Sequence, residues 1–130
     1  MQLDFDNMAS LLEPGKQEII LDHFRLGPEF KDRFNQLSDA FSLHVTRLLQ
    51  QAHVSGDTEP LHESLLLKTL FGMADQYIKP ESAREVACVA YMVSSLLAGT
   101  HAIISPYVAI IHLRASASQT TTFYGGTATA

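Results

Sequence analysis

The sequence predicts a mainly α-helical, single-domain bundle of about five helices, followed by a C-terminal extended arm or short β-hairpin. Three observations carry that expectation. Proline and glycine punctuate the first hundred residues at Pro14-Gly15, Gly27-Pro28, Ser55-Gly56-Asp57, Lys79-Pro80 and Gly99, leaving segments of helical length between them. Within those segments apolar residues recur at steps of three and four. Past Gly99 the pattern changes to short stretches rich in β-branched and aromatic residues, then to Gly, Thr and Ala. With 130 residues, 46% of them hydrophobic and 18% charged, the chain can build one core and is too apolar to be disordered throughout.

The first two segments, roughly 3–13 and 16–26, present Phe5, Met8, Leu11 and Leu12, then Ile19, Ile20, Phe24 and Leu26. Both are too short to be stable helices alone and must pack on something longer. The third, about 28–53, carries the clearest signal. Pro28 suits a first helical turn, and Glu29 and Asp32 favour the positive end of the helix dipole. Phe30, Phe34, Leu37, Phe41, Val45, Leu48 and Ala52 then form one stripe at the helical period, with Lys31, Arg33, Asp39 and Arg47 off it. The fourth, about 59–78, has two adjacent apolar rows: Leu66, Leu70, Met73 and Tyr77, then Leu67, Phe71, Ala74 and Ile78. A face that wide meets two neighbours.

The fifth segment opens at Pro80-Glu81-Ser82 and is expected to end at Gly99, a residue suited to a C-terminal cap. It has a row of small side chains (Ala83, Ala87, Ala90, Ser94, Ala98) and, on another side, a row of larger ones (Val86, Val89, Val93, Leu96). Apolar residues on opposite sides predict a central helix buried on both. Beyond it, Tyr107–Leu113 and Thr120–Tyr124 are rich in strand formers, and residues 114–119 could join them as a hairpin. Helical continuation through 107–114 is the alternative. The expected division is a helical domain over 1–114 and an uncharged arm over 115–130.

Charge is distributed unevenly. Residues 86–130 hold one formal charge, Arg114, while the first 85 hold the other 22. A free-standing surface normally carries charge everywhere, to stay hydrated and resist association. Three explanations compete: a core helix with a polar tail, a subunit contact, or membrane insertion through 86–113. That last stretch is long enough to span a bilayer, but Gly99, Thr100, His101 and Pro106 interrupt it. For the subunit contact the candidate residues are Ala87, Ala90, Ser94, Tyr107, Ile110, His112, Phe123 and Tyr124.

Signals for chemistry are sparse. Nucleophile-elbow, Ser-x-x-Lys and phosphate-loop signatures are missing, and net charge −5 argues against a general nucleic-acid binder. Cys88, the only cysteine, reads as a small buried hydrophobe. Glu59-Pro60-Leu61-His62 matches the Glu-x-x-His element of di-iron bundles, but that element must occur twice and does so once. His44 and His53 fall on nearly opposite helix faces and cannot chelate one ion. His101 and His112 lie in the uncharged region and read as neutral imidazoles within a core or contact surface, with a pH-responsive contact as the sharper reading. The expectation is therefore a non-catalytic interaction or assembly subunit, without cofactor or metal, that associates with itself or a protein partner through 86–130. A pocket lined by His44, His62 and Asp75 is the enzymatic alternative. An acidic N-terminus without an export signal, together with the single thiol, makes the cytoplasm the expected compartment.

Overall fold

The computed structural model describes residues 14–129, and the side chains of residues 17–117. Four helices account for it: α1 (Pro14–Phe24), α2 (Pro28–Ser55), α3 (Glu63–Tyr77) and α4 (Ala83–Thr129), with a single 3₁₀ turn at Glu59–Leu61 between α2 and α3. The expected helix over 3–13 lies outside the described residues.

Local chemistry explains the boundaries. Pro28 occupies the first turn of α2, and Gly56 ends that helix in the left-handed conformation (φ 78°), its N–H donating to the Ala52 carbonyl at 2.7 Å. A residue without a Cβ adopts that conformation at no steric cost. Among the described residues two more positions are left-handed, Arg25 (φ 57°) and Lys79 (φ 52°), and they terminate α1 and α3 without that advantage. Leu26 N–H reaches back to the Leu21 carbonyl and Lys79 N–H to that of Ala74, so terminal carbonyls of both helices are satisfied. At the start of α3, His62 is the N-cap, its Nδ1 accepting from Ser64 N–H at 3.2 Å.

The α2 stripe forms the centre of the core: Phe34, Leu37, Phe41, Val45 and Leu49 are fully buried. They meet Leu66, Leu70 and Ile78 of the α3 region and Cys88, Met92, Val93 and Leu96 of α4. α2 and α4 run in the same direction. Arg33, early in α2, donates to the Ile78 carbonyl just before α4, while Arg114, late in α4, meets His53 at the far end of α2. Buried Thr100 returns its hydroxyl to the Leu96 carbonyl at 2.7 Å. Among the described residues no buried side-chain nitrogen or oxygen lacks a hydrogen-bond partner.

Three expectations are corrected. The C-terminal hairpin or extended arm does not form: α4 runs unbroken through Gly99, Pro106 and the 115–129 stretch, and the described residues contain no strand. Its cause lies in packing. Ile104 and Ile111 are buried, and Tyr107, Val108 and Ile110 pack on the core beside them, so the β-branched run forms a helical stripe. Burial on that stripe outweighs strand propensity. Among the described residues there are four helices rather than about five, the remaining expected segment, 3–13, lying outside them. The third correction concerns the two faces of α4, since the row of small residues is exposed and so is Val86, at 52%. Only one side of α4 is buried.

Candidate interaction surface

At 1.5 Å per residue, the 47 residues of α4 extend about 70 Å and the 28 of α2 about 42 Å. Arg114 is level with the last turn of α2, so residues 115–129 continue about 22 Å beyond it. One side of α4 faces solvent along the bundle. Ala87, Ala90, Tyr91, Ser94, Ala98, Ala102, Ser105, Ala109 and Leu113 are all exposed, and between Val86 and Leu113 this side carries no formal charge. Its large apolar members are Val86, Tyr91 (56% exposed) and Leu113 (69%). Phe24 of α1 borders it, with its ring centroid 6.1 Å from that of Tyr91.

Of the residues singled out by the sequence, Ala87, Ala90 and Ser94 share this surface and line one shallow groove with Phe24, Tyr91 and Ala98. His112 is exposed further along. Tyr107 and Ile110 turn the other way and pack half-buried against the core. The side chains of Phe123 and Tyr124 lie outside the described residues. Cys88 is buried, its thiol donating to Met92 Sδ at 3.5 Å, and burial pushes that thiol from 9.0 up to about 11.

A second concavity, of about 340 Å³, lies between α4 and the 3₁₀ turn. Its floor is Leu61, Ile104 and Val108, and its rim brings together Glu59, His62, Glu63, His101 and His112. His112 Nε2 lies 2.6 Å from the Thr58 hydroxyl. The expected trio does not assemble, since neither His44 nor Asp75 borders this groove. Among the described residues no group of three or more His, Cys, Asp or Glu is placed to hold a metal ion. The spacing of His101, Ser105, Val108 and His112, in steps of four, three and four, is the sequence signal that puts them on one helical side.

Beside that groove, Arg114 Nη1 stands 3.0 Å from Nδ1 and 2.9 Å from Nε2 of His53. Those two nitrogens flank Cε1. An atom so close to both would overlap Cε1 if it lay in the ring plane, so the guanidinium sits over the imidazole face. The contact is thus a stack of a cation on a ring rather than a pair of hydrogen bonds.

The stretch Ala83–Ala117 has the length and apolar composition to cross a membrane, but 44% of its most apolar window is buried inside the protein. No protein family matches this chain, and neither a curated protein nor a solved structure is similar to it.

Proposed function

We propose that this protein is a non-catalytic assembly subunit that pairs with a second copy of itself through the exposed side of α4. The observation that carries the reading is the solvent-facing strip from Val86 to Leu113, which has no formal charge. Elsewhere the surface bears nearly all the charges of a chain with net charge −5. Two copies therefore repel in most orientations and least where their uncharged strips face each other. The small side chains of Ala87, Ala90, Ser94 and Ala98 favour a helix as the neighbour, because they let two helix axes approach to about 8 Å. Lipid is the poorer fit: acyl chains reward bulky apolar groups, and this strip is mostly Ala and Ser. A symmetric pair is the natural product of a self-complementary strip.

Size-exclusion chromatography with light scattering, at tens of micromolar, tests the reading. The expected mass is twice 14.3 kDa for the natural chain and 14.3 kDa for Ala98→Glu, which puts a charge in the strip. A 14.3 kDa particle for the natural chain, or an undiminished pair for Ala98→Glu, would refute it.

A further inference from the structure

We infer that the groove between α4 and the 3₁₀ turn binds a small organic cation, an ammonium group carried on an apolar body. This groove shares only Ser105 with the pairing strip, and the inference does not depend on pairing. Its volume of about 340 Å³ falls in the range usual for small-molecule sites, roughly 300–1,000 Å³. The floor is set by the core: Leu61 and Ile104 are 5% and 2% exposed, and half-buried Val108 packs beside them. Side chains so placed cannot turn away to fill the groove, so its apolar base is ready to receive a ligand without rearrangement.

The rim decides the sign of the ligand's charge. Glu59 and Glu63 stand on it, both exposed, and no Lys or Arg lines the groove. Among the described residues neither carboxylate accepts a hydrogen bond or joins an ion pair. The start of α3 does not offset them with a free donor at Ser64, because that N–H already donates to His62 Nδ1 at 3.2 Å. Thr58 and His112 likewise satisfy each other, at 2.6 Å. An anion in this groove would face two like charges, and a neutral molecule would gain the floor alone. An organic ammonium ion gains both, its body on Leu61, Ile104 and Val108 and its charge toward the carboxylates. At about 5 Å and with the dielectric of water, two carboxylates favour the cation about tenfold over an uncharged molecule of the same shape.

Methyl NMR of the full chain at pH 8, where histidine is ordinarily uncharged, tests the site with three probes of one shape: phenethylammonium, 2-phenylethanol and 3-phenylpropanoate. Ionic strength and protein concentration are held constant. Phenethylammonium should move the Ile104 and Val108 methyl signals saturably, in the millimolar range expected for so small a molecule. Its dissociation constant should be about tenfold below that of 2-phenylethanol, with 3-phenylpropanoate the weakest of the three. Val86, about 27 Å back along α4 from Ile104, should not respond. The double variant Glu59→Gln, Glu63→Gln keeps the floor and should bring phenethylammonium down to the level of the alcohol. No saturable shift at Ile104 and Val108, an equal response at Val86, or a preference for the cation that is absent in the natural chain or undiminished in the double variant would overturn the proposal.

Discussion

Substituting Ala90 by Leu separates the two sides of α4 by experiment. If Ala90 were packed between helices, a larger side chain would cost about 1–3 kcal/mol of folding stability through overpacking. Ala90 is instead exposed, in a groove it lines with Phe24, Ala87, Tyr91, Ser94, Ser95 and Ala98. Folding of the isolated chain should therefore change by no more than about 0.5 kcal/mol, the range usual for surface positions. Pairing should respond differently, because a symmetric contact carries the substitution twice. With about 1 kcal/mol per copy at the lower end of overpacking, association weakens by about 2 kcal/mol, or roughly 30-fold in dissociation constant. Thermal denaturation at low concentration reads the first quantity and sedimentation equilibrium over a dilution series the second. A melting temperature lowered by several degrees in the dilute variant would show that Ala90 is inside the fold. An unchanged dissociation constant would remove this strip from the contact.

Two further predictions concern stability. The pKa of Cys88 is raised from 9.0 to about 11 by burial, so the neutral thiol is favoured in the folded chain. Its contribution is complete below pH 9, is lost as pH rises through about 11, and amounts to roughly 2–3 kcal/mol. Urea denaturation between pH 8 and 11 should show this loss, and Cys88→Ala should flatten it; an equally steep decline in that variant would refute the assignment. Lys79 holds a left-handed conformation at the end of α3, which costs a residue with a Cβ about 1 kcal/mol relative to glycine. Lys79→Gly should accordingly raise the melting temperature by about 3–5 °C, and a lower melting temperature would count against this reading of the turn.

The sequence and the tertiary structure divide this protein between them along physical lines. Periodicity, caps and breakers act over a few residues, and they determine α2 almost completely: Pro28 at its start, the Phe30-to-Ala52 stripe, Gly56 at its end. They also determine that Cys88 is a buried thiol and that the small residues of α4 share one side. Whether another helix covers that side depends on atoms far away in the chain, and periodicity is silent about it. Gly99 and Pro106 have the local character of helix ends, yet α4 passes through both because Ile104, Tyr107, Val108 and Ile111 gain more by packing into the core than the backbone loses. Such burial exists only once the bundle has assembled. For the same reason the meeting of His112 with Thr58, 54 positions apart, and of Arg114 with His53, 61 apart, belongs to the tertiary structure alone.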